Sequence, residues 1–207
     1  MLGVLAALGI GYLLGSIPSA ALIARTQGKN IFEVGSGNMG AMNAARNIGW
    51  WAGAAVLLSD LGKGALASVV GLLMVSVSQP DPLIATIMPL AAGVAAVLGH
   101  VASVFVDFRG GKALTTAIGM SLPLFPLGGL YSSLLLVALI LLTRKVGVGS
   151  SLAACFFPVV VYAVQTQAGV PLEQRTLTAV AVALISSMIV IKHVPDIRRE
   201  LGRTSAE

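Results

Sequence analysis

Long uncharged stretches set the strongest limit on what this chain can fold into. Runs without Asp, Glu, Lys or Arg cover residues 1–24, 64–80, 82–106, 113–143, 146–172 and 176–191. A helix needs roughly 20 apolar residues to cross a bilayer, and most of these runs are of that length. Charged residues make up only 10% of the chain, and its mean hydropathy is +0.93, whereas soluble domains carry about 25% charge. The sequence therefore predicts an all-α integral membrane protein.

The run 113–143 decides how many helices we expect. As one helix it would be about 46 Å long, against a hydrocarbon core of about 30 Å. Pro123, Pro126, Gly128 and Gly129 favour a break within it. A break predicts seven transmembrane helices in a single domain, 1–207, with Asp60 and Lys63 inside the second helix. The predicted helices cover residues 2–24, 51–76, 83–106, 113–126, 129–143, 150–168 and 176–193.

Charge predicts the orientation, because cytoplasmic loops collect Lys and Arg. With seven helices, the N-terminus outside and the C-terminus cytoplasmic, only Arg175 of the 13 Lys and Arg residues lies outside, and Lys63 lies within a helix. With six helices the basic residues divide equally between the two sides. Arg25, the first basic residue, follows the first apolar run, whereas a secretory signal begins with its basic residues. We therefore expect this run to be retained as a helix.

The stretch "GSGNMGAMNAAR" (residues 35–46) is polar and rich in glycine. Glycines permit backbone conformations closed to other residues, and successive free N–H groups in such a loop form an anion-binding nest. Ser36, Asn38 and Asn43 add side-chain hydrogen bonds, and Arg46 adds a planar fork suited to phosphate. The alternative is an ordinary flexible loop whose arginine lies among lipid headgroups.

A second polar stretch, "FRGGKALTT" (residues 108–116), places Gly110, Gly111 and Lys112 just before a predicted helix. A helix N-terminus carries partial positive charge and attracts anions. The stretch is not a nucleotide P-loop, because Val106 and Ala113 stand where that motif needs a glycine and a Ser or Thr. The alternative is a glycine turn with a lysine that reaches the headgroups.

Asp60 and Lys63, in "SDLGKG", are three residues apart and share a helix face. Charges within a membrane helix usually mark a functional interior, and the alternative is a structural ion pair. His100, His193 and Cys155 make no credible metal site, so we expect neither a metal nor a cofactor. In a membrane protein, the net charge of +5 relates to the orientation of the chain and to its attraction to anionic lipid. No nucleic acid partner is expected.

These segments, in this order, resemble the bacterial membrane glycerol-3-phosphate acyltransferases that use acyl phosphate as donor. The resemblance runs through "GYLLGSIPSAALIA" in the first helix, "GSGNMGAMNAAR", "DLGKG", and "GH" followed by "FRGGK". It implies transfer of a fatty acyl group to the sn-1 hydroxyl of glycerol 3-phosphate, giving lysophosphatidic acid and phosphate. This is the first acylation step of phospholipid synthesis, on the cytoplasmic face of the plasma (inner) membrane.

The resemblance also implies roles for residues at the matching positions. Ser36, Asn38, Arg46 and Lys112 would be catalytic, binding phosphate and stabilising developing charge. Substrate would also be bound by Gly37, Gly40, Asn43, Lys63, Gly64, His100, Gly110, Gly111, Ser151 and His193, with Ser150 as the alternative to Ser151. Both of these serines could also simply cap the sixth helix. The donor is a reactive mixed anhydride, so positioning and electrostatic stabilisation replace a dedicated base.

The chain departs from the family's usual pattern at several positions. Ala113 stands where a glycine is expected, Asp107 where a glycine is common, Ser103 where a proline is usual, and Asp196 where an asparagine is expected. Carboxylates near an anion site would oppose phosphate binding, unless they are exposed and screened. A family member with an altered substrate is therefore one alternative. A transporter of a phosphorylated or anionic metabolite is another, since glycine loops at helix ends suit transporter sites. The oligomeric state is left open.

Overall fold

The structure, a computed structural model, describes residues 1–202. Within that range all named elements of regular structure are helices, and one isolated antiparallel bridge joins Ser103 and Arg109. This confirms the all-α prediction. Contacts between residues divide the chain into two compact units, 1–124 and 125–207. The single domain 1–207 stays a prediction.

The first unit consists of six α-helices and a 3₁₀ turn within its described residues. They are α1 (Leu2–Ser16), α2 (Ser19–Arg25), α3 (Ala41–Asn47), α4 (Trp50–Ser78), α5 (Pro82–Val101), the 3₁₀ turn Val104–Val106 and α6 (Leu114–Leu124). The span predicted over 2–24 is present as the candidate span Leu2–Arg25, but its helix is interrupted between Ser16 and Ser19, because Pro18 lacks an N–H and its ring clashes with the preceding turn. The predicted end of the third helix at 106 is wrong, because α5 ends at Val101 and a 3₁₀ turn follows.

Small residues let α1 and α5 approach closely. A methyl group added at Gly11 would collide with the backbone of Ala92, and one added at Gly15 would collide with the backbone of Ala96. This spacing of four matches the small-residue pattern of helix pairs in membranes, where close packing replaces the hydrophobic driving force. The Tyr12 hydroxyl donates to the Ala102 carbonyl at 2.8 Å. The end of α5 is thereby held against α1.

The second unit consists of α7 (Pro126–Thr143), α8 (Val146–Gln167) and α9 (Leu172–Gly202) within its described residues. Arg144 adopts a left-handed conformation, with φ 53°, and ends α7. The connection to α8 is short, which makes the two helices antiparallel neighbours. Because α8 begins at Val146, Ser150 and Ser151 lie inside the helix, and the prediction that they cap it is wrong.

Six helices are long and apolar enough to cross a membrane within residues 1–202: Leu2–Arg25 (α1 and α2 together), Trp50–Ser78, Pro82–Val101, Pro126–Thr143, Val146–Gln167 and Leu172–Gly202. The predicted break in 113–143 is confirmed, since α6 ends at Leu124 and α7 begins at Pro126. With 11 residues, α6 is about 17 Å long, which is too short to cross alone. The seven-span topology and the orientation of the termini stay predictions.

Candidate functional site

Asn43 shapes the first glycine loop. Its side chain is only 5% exposed, and its amide nitrogen lies 3.0–3.3 Å from the carbonyl oxygens of Ile31, Val34 and Asn38 as a donor. Its amide oxygen accepts from the backbone N–H of Ser36 at 3.0 Å. These hydrogen bonds hold residues 31–43 in one conformation. The side chain of Asn43 is thus used by the loop itself, and its predicted contact with substrate stays a prediction.

Gly35 is required at its position for two reasons. Its φ is 58°, in the left-handed region that favours glycine. A methyl group there would also collide with the side chains of Asn43 and Asn47. The glycine therefore lets the loop close tightly over the amide that organises it.

The loop leaves two of the predicted phosphate-binding side chains accessible. Ser36 and Arg46 are exposed, and neither the hydroxyl nor the guanidinium has a hydrogen-bond or ionic partner within residues 1–202. Asn38 is half-buried and is held through its carbonyl rather than its side chain. Side chains with unused hydrogen-bonding capacity on a rigid loop are suited to an anionic ligand.

Gly110 and Gly111 pack against the C-terminal end of α5. A methyl group at Gly110 would collide with the carbonyl oxygens of His100 and Val101, and one at Gly111 would collide with the imidazole of His100. The Gly111 N–H donates to the His100 carbonyl at 3.0 Å. Close approach to His100 therefore requires both glycines of this motif.

Lys112 lies between this contact and α6, which begins at Leu114, one residue after its predicted start. The Leu114 N–H donates to the Lys112 carbonyl at 2.9 Å, and the central residue, Ala113, has a φ of 70°. Such a three-residue turn with positive φ is rare and strained. Ala113, where the family resemblance leads us to expect a glycine, thus holds a conformation that favours glycine, and the tight turn fixes the backbone next to Lys112.

The two glycine loops meet within the first unit. The guanidinium carbon of Arg109 lies 3.9 Å from the ring centroid of Phe32, a favourable cation–π distance. Val106 packs in one buried cluster with Ile31 and Met39. The structure therefore brings residues 31–46 and 106–112 together.

A buried cluster of Asp60, Lys63 and His100 lies next to Gly111 of the second loop. Lys63 Nζ is 2.9 Å from Asp60 Oδ1, and His100 Nδ1 is 3.6 Å from the same oxygen. Lys63 also donates to the carbonyl oxygen of Ile17 at 3.2 Å, which lies at the break before Pro18. The ion pair of Asp60 with Lys63 is present. The His100 imidazole of this cluster is also the group that Gly111 approaches closely.

Gly64 is a contact point between α4 and α6. A methyl group there would collide with the carbonyl oxygen of Thr116, in the first turn of α6. Two residues earlier, Gly62 has no neighbour within 4 Å of the same added atom. Gly64 therefore brings the start of α6, and with it Lys112, close to α4.

Ser151 and His193 lie in the second unit, on facing turns of α8 and α9. Both are buried, and each is bonded within its own helix: Ser151 Oγ donates to the Gly147 carbonyl and His193 Nδ1 contacts the Ile189 carbonyl, both at 2.8 Å. A methyl group at Gly147 would contact Asp196, which shows how closely these turns pack. The predicted site residues are thus divided between the two units, and the contact of Ser151 and His193 with substrate stays a prediction.

Three side-chain contacts that shape these segments were not predicted from the sequence. The Asn47 side chain donates to Asn43 Oδ1 at 2.9 Å, and the four-residue spacing of the two asparagines was a signal for it. Ser103 Oγ donates to the Ser16 carbonyl at 2.5 Å. Glu200 accepts from the N–H groups of Gly147 and Val148, at 2.9 and 3.1 Å, and so caps α8. No local pattern indicates the last two, because each joins distant parts of the chain.

The two departures that add carboxylates are placed differently. The Asp107 side chain is 93% exposed and 3.9 Å from Arg109, so solvent screens it. Asp196 forms an ion pair with Arg199, one turn along α9. Each carboxylate therefore has a cation of its own nearby.

The sequence model of the family described as glycerol-3-phosphate acyltransferase matches residues 5–203. A glycerol-3-phosphate acyltransferase of Geobacter sulfurreducens is 37% identical, over 96% of this chain and 94% of that protein. Glycerol-3-phosphate acyltransferase 2 of Bacillus anthracis is 36% identical, over 94% of each chain.

A solved structure resembles the fold over nearly its whole length. It is the crystal structure of PlsY, an integral membrane glycerol 3-phosphate acyltransferase, in its glycerol 3-phosphate form. The TM-score is 0.78 and the identity is 31%, over 96% of this chain and 92% of that one. The lysophosphatidic acid form of the same protein matches with a TM-score of 0.77.

Proposed function

The chain belongs to the glycerol-3-phosphate acyltransferase family, and we propose that it takes its acyl group from acyl phosphate. In this proposal the group is transferred to the sn-1 hydroxyl of glycerol 3-phosphate, giving lysophosphatidic acid and inorganic phosphate. The meeting of the two glycine loops is the observation that carries the proposal. It groups the segments that hold Ser36, Asn38, Arg46 and Lys112 in one unit.

Two phosphate groups must be held for this reaction, one on each substrate. Arg46 and Lys112 provide the positive charge, and Ser36 and Asn38 provide hydrogen bonds. The glycines shape the loops: Gly37 and Gly40 in the first, Gly110 and Gly111 in the second. Asn43 organises the first loop. Lys63 and His100, in the buried cluster, and Gly64, at the contact of α4 with α6, hold the segments next to the second loop. Ser151 and His193, in the second unit, are proposed as substrate-binding residues on the family resemblance alone.

The chemistry needs little from the protein beyond placement and charge. The glycerol hydroxyl attacks the acyl carbon, the new ester C–O bond forms, and the anhydride C–O bond to phosphate breaks. The hydroxyl proton leaves with the phosphate, whose oxygens accept it. Cations and N–H groups aimed at the developing negative charge stabilise the transition state.

The proposed setting is the plasma (inner) membrane of a bacterium. The proposed seven spans count the segment 113–126, which contains the short helix α6, as the fourth. With the N-terminus outside and the C-terminus inside, they would place both glycine loops on the cytoplasmic face. Glycerol 3-phosphate then reaches the loops from water, and the acyl chain reaches them from lipid. Labelling of single cysteines, placed at Gly28 and at Gln79 in a Cys155→Ser background because Cys155 is exposed, from each side of sealed vesicles tests this orientation.

Substitution of the two cations tests the site. Arg46→Ala and Lys112→Ala should each lower formation of lysophosphatidic acid by about 100-fold or more, the usual effect of losing one group that stabilises transition-state charge. Arg144→Ala is the matched control, because it removes an exposed cation from the connection between α7 and α8. Near-normal turnover of either loop variant would show that these residues do not act on substrate.

A further inference from the structure

An open pocket of about 410 Å³ lies in the first unit, next to the contact of Arg109 with Phe32. Its walls are formed by the end of α2 with the turn after it, and by the segment around the 3₁₀ turn. The residues that line it include Arg25, Lys29, Phe32, Phe105, Asp107 and Arg109. None of the proposed substrate-binding residues lines it. The volume is within the range of small-molecule sites, about 300–1,000 Å³.

The pocket carries an excess of positive charge. Three of its residues are cations and one is a carboxylate, that of Asp107, whose side chain is 93% exposed. The α2 carbonyls, which would repel an anion, are already bonded: Arg25 O by the Gly28 N–H, and Ala24 O by the Lys29 N–H, each at 3.0 Å. The pocket is therefore electrostatically suited to an anion.

Two of the three cations are already held in place. The Arg109 guanidinium stacks on the Phe32 ring at 3.9 Å, which orients its planar fork before any ligand binds. Lys29 Nζ donates to the Asn47 carbonyl at 2.7 Å. Arg25 has no hydrogen-bond or ionic partner within the described part of the chain. An arginine fork of this kind recognises phosphate with paired hydrogen bonds.

The position of the pocket indicates where the phosphate comes from. Arg25 ends the first candidate span, Leu2–Arg25, and the 3₁₀ wall follows directly after the span Pro82–Val101. Phe105, on that wall, and Phe108, three residues further along the chain, are 59% and 65% exposed. Aromatic and basic side chains at the ends of membrane helices lie at headgroup level, where the anionic lipids attract cations.

We propose that this pocket binds the phosphate headgroup of an anionic phospholipid, with Arg25, Lys29 and Arg109 on the phosphate and Phe105 against the glycerol and upper acyl chain. The site is separate from the one that binds substrate. It gives the protein a preference for anionic lipid that does not depend on acyl transfer.

Lipid binding to the purified full-length protein in detergent, followed by native mass spectrometry, tests this proposal. Phosphatidylglycerol is titrated against phosphatidylcholine with the same acyl chains. We expect one saturable phosphatidylglycerol, bound at least tenfold more tightly than phosphatidylcholine. Equal binding of the two lipids would overturn the proposal.

Substitutions locate the lipid. Each cation at a membrane surface contributes about 1 kcal/mol toward anionic lipid, or about fivefold in affinity, so Arg25→Gln should weaken binding about fivefold. Arg25→Gln with Arg109→Gln should weaken it about 25-fold. Because Arg25 has no partner to lose in residues 1–202, the single variant is expected to fold even if the double variant does not.

The matched control removes the same two charges from exposed positions in the second unit, as Arg144→Gln with Arg198→Gln. We expect it to keep wild-type affinity within about twofold. An equal loss in this control would mean that net charge, not the pocket, attracts the lipid, and would overturn the proposal. Displacement of the lipid by inorganic phosphate at millimolar concentration, with no preference for lipid, would also overturn it.

Discussion

Removal of one partner from the buried pair of Asp60 and Lys63 should cost far more stability than removal of both. Both side chains are 5% exposed, and their charged atoms are 2.9 Å apart. Lys63→Met leaves a buried carboxylate with the His100 imidazole, 3.6 Å away, still beside it, and Asp60→Asn leaves a buried ammonium. Breaking a buried pair on one side typically costs about 3–5 kcal/mol, whereas replacing both partners with residues of similar volume is nearly neutral.

The double-mutant cycle measures this coupling by thermal unfolding of purified protein in detergent. For a chain of this size, about 1 kcal/mol corresponds to about 2–4 °C in Tm, so each single variant should unfold about 6–20 °C earlier than the wild type. Asp60→Asn with Lys63→Met should recover most of that loss, with a coupling free energy of at least about 3 kcal/mol. Loss in the double variant equal to the sum of the single losses would refute the reasoning.

The same double variant separates two roles for Lys63. If the pair only neutralises itself within α4, a stable double variant keeps most of the acyltransferase turnover. If Lys63 contributes charge to the substrate site, the variant is stable and its turnover is lost.

Three further predictions concern packing, capping and surface charge. Gly64→Ala should destabilise the protein by about 1–3 kcal/mol, because the added methyl group meets the backbone of α6. Gly62→Ala, in open space on the same helix, should stabilise it by up to about 1 kcal/mol through helix propensity. Equal Tm values for the two variants would contradict this. Glu200→Ala should lower the unfolding free energy by about 1–2 kcal/mol, because two N–H groups of α8 lose their acceptor. Glu173→Ala, exposed in the first turn of α9, should have a smaller effect on Tm in the same thermal unfolding experiments. Asp107→Asn should leave Tm within about 1 °C of wild type and should raise kcat/KM for glycerol 3-phosphate less than threefold, because its carboxylate is almost fully exposed. A larger rise would show that this carboxylate acts on the substrate.

The membrane fold could be predicted because its signal is local. Uncharged runs of about 20 residues mark the spans, and Pro123 with Pro126 indicated the break that the structure has at Phe125. Pro18 was equally visible, but prolines are tolerated in membrane helices when neighbouring groups satisfy the freed backbone. A single helix over 2–24 was therefore a reasonable expectation. The Lys63 side chain, from a different helix, bonds to the Ile17 carbonyl at that break.

The sequence predicts which residues belong to the candidate site, but it does not predict which of them are buried in the loop and which are exposed. Ser36, Asn38 and Asn43 have similar polar side chains in one short motif, yet Asn43 is buried and Ser36 is exposed. Gly62 and Gly64 are two residues apart, and only the contact with Thr116 distinguishes them. Such differences depend on which surfaces the tertiary fold brings together, and a local pattern does not contain that information.

Phosphate release by purified protein in lipid, with palmitoyl phosphate present and glycerol 3-phosphate either added or omitted, tests the central claim most directly. The proposed reaction predicts release that depends on glycerol 3-phosphate, with one lysophosphatidic acid formed for each phosphate. Release that is the same without glycerol 3-phosphate, or no release from folded protein that moves labelled glycerol 3-phosphate across sealed vesicles, would contradict it.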